Sequence, residues 1–418
     1  MSALIPFSMP VRRALEPRVR TALVDTPIVV IQGARQVGKS TLAELIGDSV
    51  GAVHVTLDDA ATLASARFDP AAFVSQAGSG CLVIDEVQRA PELILAVKAA
   101  VDRDRRPGRF LLTGSADLLR LGGDSLAGRA ETLELRGFAQ SELHGSALNP
   151  VDRLFAGDLG FAGTGIGRSG LLEVVCAGGY PEVLARPTAD RRAAWFASYV
   201  DRIAERDVHE LSGLRFASLV PDILRVVGAH TAGVVSRATL ARDIGMAEPT
   251  LPPYLELLES LRLIVRLPNW SGTAVSRARS RPKLLLADSG LAAWFAHASP
   301  ATLGPAGDPD RAGRLVETFA ICEILKGAGW SDTPVRAYHW RDRRQREVDL
   351  ILEAHDGRVV AVEVKSSSSV HAGDLAGLRA FAEVAGERFA AGVILHLGER
   401  AVPFGDRMAA LPLDALWS

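Results

Sequence analysis

The stretch IVVIQGARQVGKST at residues 28–41 decides the first part of the fold. A short apolar run passes into a loop bracketed by Gly33 and Gly38, and Lys39, Ser40 and Thr41 then open a helical pattern. A strand that turns through such a loop into a helix aims successive backbone amides at one point, where the helix dipole adds positive potential. That arrangement suits phosphate. The G-x-x-x-x-G-K-S pattern therefore assigns Gly33, Ala34, Arg35, Gln36, Val37, Gly38, Lys39, Ser40 and Thr41 to a cradle for ATP. Lys39 is expected to reach the β and γ phosphates, and the Ser40 hydroxyl to ligate Mg2+. An ordinary glycine-rich turn is the competing reading, and the strand before and helix after the loop weigh against it.

The second half of such a site is an apolar strand ending in acids, and CLVIDE at 81–86 supplies one. Asp85 is expected to hold the magnesium through water and Glu86 to orient the attacking water. The strand RFLLTGS at 109–115 ends in Thr113 and Ser115, which either sense the γ phosphate or merely cap a strand. Arg129, in SLAGR, is either an arginine finger toward a neighbouring subunit's nucleotide or a structural salt bridge. Around these motifs, strands are expected at 28–32, 52–57, 81–85, 109–113 and 131–135, with helical intervals between them. Strands recurring in that way predict an α/β core with a parallel sheet covered on both faces.

A chain of 418 residues exceeds what one core usually supports, so several domains are expected. Its apolar fraction of 48% is that of a globular protein, and a net charge of -2 sets no global field for nucleic acid. Any nucleic-acid site must be a local patch. Only five of the 47 basic residues are lysines, Lys39, Lys98, Lys283, Lys326 and Lys365, so positions that kept lysine stand out. Cys81, Cys176 and Cys322 have no ligand spacing and read as reduced thiols of a cytoplasmic protein. The opening MSALIPFSMPVRR has its basic residues after the apolar ones, the wrong order for a secretory signal, and no 18-residue uncharged apolar run predicts a membrane span.

Composition divides the chain into a P-loop core at 1–138, a helical lid or bridging subdomain at 139–230, a helix-turn-helix region at 231–300 and a small α/β domain at 310–418. A glycine-rich loop at 156–170 interrupts the second segment, and SPATLGPAGDP at 299–309 is the linker before the last. Within the last domain a helix is expected at 315–326, strands at 347–353 and 359–364, a helix at 373–385 and a strand at 391–397.

GARQVGKST, LVIDEVQRAP, LLTGS, SLAGR, GGYPE at 178–182 and ERD at 205–207, with KLLLADSGLAAW at 283–294, EVDLIL and VEVK, resemble a bacterial and archaeal family of AAA-type ATPases that carry a C-terminal domain of unknown function. The resemblance spans nearly the whole chain. Leu286 and Ala287 depart from it where an aromatic is expected. It implies an AAA core, a helical lid, a winged helix, a C-terminal domain similar to restriction-endonuclease folds, and a homo-oligomer with the ring arrangement common among AAA-type subunits.

In the helix-turn-helix region Ser236 stands as N-cap to RATLARDIG, and Leu240, Ile244, Leu255, Leu258 and Leu261 are spaced to pack its interior. The following segment, SGTAVSRARSRPK, carries Arg277, Arg279, Arg281 and Lys283, a cluster suited to gripping a DNA backbone. Inter-domain packing is the alternative role, and Glu256 and Glu259 on the second helix argue against base readout there.

The last domain brings acids in a recognisable order. Glu317 falls in a helix, Asp349 in a strand, and Glu363 with Lys365 two apart on the next strand, so that pair shares a face. This resembles the PD-(D/E)xK pattern, whose carboxylates hold one or two divalent ions while the lysine activates water. A second Mg2+ or Mn2+ site at Glu317, Asp349 and Glu363, with Lys365 beside it, is the expectation. The domain either cuts DNA or keeps the fold as a binding platform.

Overall fold

The computed structural model of the chain describes residues 11–115, 126–160, 162–204, 217–271 and 281–418. It divides into two compact units, one of residues 12–137 with 260–262, the other of 138–259 and 263–418.

In the first unit, helix α1 (Glu16–Asp25) precedes β1 (Ile28–Gln32), and α2 (Lys39–Ser49) follows the loop. Then come β2 (Val53–Thr56), α3 (Ala60–Phe68), α4 (Pro70–Ser75), β3 (Leu82–Asp85), α5 (Leu93–Arg103), β4 (Phe110–Gly114) and β5 (Ala130–Glu134). The five strands form one parallel sheet in the order β2-β3-β4-β1-β5. Every residue of β1 and β4 is buried, as continuous apolar runs in a parallel sheet require, whereas β2 at the edge is largely exposed. Ile28, Val30, Leu82, Ile84, Phe110 and Leu112 pack with Val97 and Val101 of α5 in the core. Because β1 lies between β4 and β5, its C-terminal end faces the crevice where the strand order reverses, the usual ligand position in an open α/β sheet.

In the second unit, helices Gly167–Ala177, Ala189–Arg202 and Val220–Ala229 lead to β6 (Gly233–Val234), helices Arg237–Ile244 and Leu251–Ser260, β7 (Ile264–Leu267) and β8 (Lys283–Leu286). β6, β8 and β7 make a three-stranded antiparallel sheet in that order. Ser236 caps its helix through the Thr239 amide at 3.1 Å, and Leu240, Leu255 and Leu258 are buried while Ile244 is half-buried; Leu261, in the short segment that belongs to the first unit, is also buried. Helix Pro309–Ala328 then precedes β9 (Val335–Arg341), β10 (Glu347–Ala354), β11 (Val359–Lys365), helix Ala376–Ala385, β12 (Phe389–His396), β13 (Val402–Pro403) and β14 (Met408–Pro412). These strands form a mixed six-stranded sheet in the order β13-β14-β12-β11-β10-β9.

Hydrogen bonds tie together the segments expected as lid, helix-turn-helix region and C-terminal domain. Gly179 donates to Asp288 at 2.8 Å, Thr231 meets Thr318 hydroxyl to hydroxyl at 2.9 Å, and the Asn149 amide donates to the Gly327 carbonyl at 2.9 Å. Among the described residues no helix is long and apolar enough to cross a membrane.

Candidate functional site

The loop after β1 has a backbone that its residues are chosen for. Gln36 and Gly38 both lie in the left-handed region, with φ of 62° and 94°, so each reverses the chain within the loop. A Cβ at Gly33 would stand 2.1 Å from the Leu135 carbonyl oxygen, leaving no room for any other residue. Lys39 opens α2 and is buried, its ammonium donating to the Ala34 carbonyl at 3.0 Å. The loop is also held from outside by Arg13, which donates to the Val37 carbonyl at 2.7 Å and the Arg136 carbonyl at 2.6 Å.

The parallel register sets the acids beside this loop. The Ser40 hydroxyl lies 2.9 Å from both oxygens of Asp85, at the end of β3. Ile84 pairs with Leu112, which carries the next residue of β4, Thr113, to Asp85; the Thr113 hydroxyl donates to that carboxylate. The Glu86 amide in turn donates to Thr113 Oγ1 at 3.2 Å, and Glu86 itself is left-handed at φ 56°. Its carboxylate accepts from Gln88, whose amide also reaches the Ser115 hydroxyl at 3.0 Å. A hydroxyl and a carboxylate sharing one small space are the oxygen donors a hard divalent cation takes. A buried ammonium and a helix N-terminus facing the same loop fit the phosphates that would bring it.

Gln88 and Arg13 escape a reading of motif positions. Gln88 lies within LVIDEVQRAP, but its grip on Glu86 depends on the 3-10 turn Val87–Arg89 that follows β3. Arg13 reaches the loop from 24 residues away and has no sequence signal. Arg129 makes an ion pair within its own chain. It precedes β5 at the end of the sheet opposite the loop, and its guanidinium bonds Asp102 at 2.6 Å, a hydrogen bond that lowers the Asp102 pKa.

The acidic group of the second unit is arranged differently from the expectation. Lys283, expected to grip a phosphate backbone, is only 3% exposed; its ammonium donates to Glu317 and, at 2.9 Å, to Asp349 Oδ1. The assignment of Lys283 to a DNA surface is thus corrected, since the first position of β8 points the side chain into the interior. Asp349 Oδ2 accepts the Val364 amide at 2.9 Å, and Lys365 bonds Glu363 at 2.8 Å. Burial and the Asp349 charge raise the Glu317 pKa, whereas Asp349, which burial alone would raise, is held below the ordinary range by Lys283. Burial, then Asp349, pushes Glu363 up to about 8.

The three carboxylates do not form the expected metal centre. Among the described residues no group of three or more histidine, cysteine, aspartate or glutamate side chains is arranged to hold a metal ion. Glu317 and Asp349 are instead bonded to the Lys283 ammonium. Of the other expected DNA contacts, Arg281 is exposed, while Arg277 and Arg279 lie outside the described residues, as does the ERD segment at 205–207. Two further motifs meet each other. Asp288 accepts the Gly179 and Leu291 amides, and a Cβ on Gly178 would stand 2.2 Å from Asp288 Oδ1, so GGYPE and ADSG are one packing joint.

Residues 25–144 match the model of an AAA domain, residues 168–302 a domain of unknown function (DUF8612), and residues 312–416 another (DUF4143). The parallel-sheet unit with its phosphate loop is an AAA-type, ATPase-like domain. Uncharacterized proteins of Mycobacterium tuberculosis and Mycobacterium bovis are each 30% identical over 408 residues, 97% of this chain and 84% of theirs. The chain belongs to the family these two proteins represent. Among solved structures, a Walker-type ATPase of Pyrococcus abyssi aligns with 70% of this chain and 99% of its own, at 16% identity and a TM-score of 0.39. The RuvB Holliday junction branch migration motor of Thermotoga maritima aligns with 61% and 89%, at 18% identity and a TM-score of 0.31.

Proposed function

We propose that the protein is a magnesium-dependent ATPase that acts on DNA as a homo-oligomer, with turnover coupled to the second unit. One observation carries the ATPase part of the reading: Lys39, Ser40, Asp85, Thr113 and Glu86 converge where β1, β3 and β4 end. Magnesium held with ATP supplies neutralisation of charge on the transferring phosphoryl group. Lys39 draws the phosphates into the loop, while Ser40 and Asp85 hold the magnesium side. Glu86, aimed by its left-handed backbone and tied by Gln88, orients the attacking water.

Helix Val220–Ala229, β6, the next two helices, β7 and β8 follow one another in the order of a winged helix. Helix Pro309–Ala328, β9, β10, β11, helix Ala376–Ala385 and β12 follow the order of an endonuclease-like fold. Support for DNA comes from exposed Arg281, Arg341, Arg343 and Arg344; Arg281 and Arg341 line one cavity of about 280 Å³ with His339 and Gln345. Such a patch suits phosphates without sequence readout. A second reading, in which the endonuclease-like domain is a platform that does not cut, is favoured for that domain by Lys283 among its carboxylates.

The test is phosphate release from ATP and Mg2+ by the purified chain, with labelled duplex DNA followed on a gel. Absence of turnover removes the ATPase reading; failure to retard duplex DNA at low salt removes the DNA part; cleavage removes the platform reading.

A further inference from the structure

The acidic pocket of the second unit contains a cation that is part of the chain. Lys283 is the first residue of β8, and its backbone is paired on both sides, with Val234 of β6 and Leu267 of β7. The strand therefore delivers the ammonium to a fixed point. There it bonds Glu317 from helix Pro309–Ala328 and Asp349 from β10; Lys283 and Asp349 are buried and Glu317 is half-buried. Asp349 spends its second oxygen on the Val364 amide at 2.9 Å. Glu363 Oε1 accepts from Lys365 at 2.8 Å, while Glu363 Oε2 is buried with no hydrogen-bond partner.

A divalent ion in this pocket needs oxygens at about 2.0–2.6 Å, and the oxygens of Glu317 and Asp349 that face it are engaged by an ammonium. Adding the ion beside that ammonium sets like charges within a few ångströms in a medium of low dielectric. Removing the ammonium reverses the balance. Glu317, Asp349 and Glu363 would then face one another with Lys365 alone as counter-charge, an arrangement that a divalent cation relieves. We propose that Lys283 is the resident cation of this pocket, that the pocket binds no divalent metal while Lys283 is present, and that loss of the ammonium converts Glu317, Asp349 and Glu363 into a divalent-cation site. The proposal is independent of ATP chemistry in the other unit.

The experiment compares full-length wild type with Lys283→Met and Lys283→Met/Asp349→Asn, without nucleotide. Bound Mn2+ is counted from the free-ion electron paramagnetic resonance signal, and thermal midpoints are read in EDTA and in Mn2+. Lys283→Met is expected to bind one more Mn2+ per chain than wild type and to recover on Mn2+ addition several degrees of the midpoint lost in EDTA. The added Asp349→Asn change is expected to abolish that extra ion. A folded Lys283→Met chain that binds no more Mn2+ than wild type overturns the proposal. Where Lys283→Met does not fold even with Mn2+, wild type against Asp349→Asn decides. Equal Mn2+ counts support a metal-free wild-type pocket, and a higher count in wild type overturns it.

Discussion

Two buried lysines, Lys39 in the first unit and Lys283 in the second, are 4% and 3% exposed, yet their surroundings make opposite chemistry. One partner of Lys39 is a carbonyl of its own loop, a neutral group that a phosphate oxygen can replace at little cost. Lys283 donates to two carboxylates, Asp349 buried and Glu317 half-buried, and a ligand that displaced it would leave the Asp349 charge unpaired away from water. A lysine beside acids is therefore not by itself a catalytic arrangement. What the ammonium is already bonded to decides whether the site can accept a ligand.

The sharpest way to break the comparison is at Lys39. Lys39→Ala is expected to reduce ATP kcat/KM by about 10³-fold or more, the scale of removing a preorganised charge at a phosphoryl group. Glu86→Gln should keep ATP affinity and slow turnover by about 10²-fold, because only the orientation of water is lost. Nucleotide binding by fluorescence and phosphate release separate the two. Wild-type affinity and turnover in the Lys39 variant would leave the first half of the comparison without support.

At the other lysine the expected loss is of stability. Asp349→Asn leaves the Lys283 ammonium buried with one carboxylate removed, a change that costs about 3 kcal/mol. Neutralising a charge of each sign, in Lys283→Met/Glu317→Gln, should be milder than Asp349→Asn, since less uncompensated charge stays inside. Urea unfolding of the three proteins checks the order. If Asp349→Asn unfolds at the wild-type midpoint, Lys283 and Asp349 are not the tight pair that the 2.9 Å contact indicates.

A third effect concerns the surface rather than the interior. Arg281→Ala/Arg343→Ala/Arg344→Ala removes three exposed guanidinium groups, and each phosphate left without its arginine should flatten the slope of log K against log salt by about 0.9. Duplex binding measured by anisotropy across a salt series gives the slope. Affinity and slope equal to wild type would return this surface to the packing role that the sequence also allowed.

Legibility follows the distance between contact partners. The phosphate loop is contiguous, and CLVIDE is a strand with its acids at the end, so both could be read as local patterns that a parallel sheet then brings together. The acids Glu317, Asp349 and Glu363 could be singled out for the same reason, each by its own element. Their partner could not. Lys283 stands 34 residues from Glu317 and 66 from Asp349, and its neighbours in SRARSRPK gave it the look of a surface wing. The scarcity of lysine was the better signal, since Lys39, Lys283 and Lys326 are all buried against specific partners. β9 is not legible in the sequence because VRAYHWR interleaves Arg336 and Arg341 with the buried Tyr338, His339 and Trp340.

That strand supplies the smallest effect and a probe of the pocket's edge. His339 is buried, and its Nε2 donates to the Arg281 carbonyl at 3.1 Å. Burial first, then the nearby Lys283 and Arg341 charges, lowers its imidazole from the ordinary value to about 4. The folded chain thus keeps His339 neutral where the unfolded chain protonates it. A depressed pKa contributes stability that is present above pH 6.5 and is lost progressively as pH falls from there to about 4. Between pH 7 and pH 5.5 the loss amounts to about 1 kcal/mol. His339→Gln, which keeps a side-chain donor and cannot take up the proton, should flatten this part of the stability profile, although its own midpoint at pH 7 will fall. Urea midpoints at the two pH values, in wild type and variant, isolate the difference from the change in packing. A wild-type profile no steeper than the variant's would mean that folding does not lower the His339 pKa, and that the ammonium of Lys283 is balanced more completely than its two carboxylate contacts alone indicate.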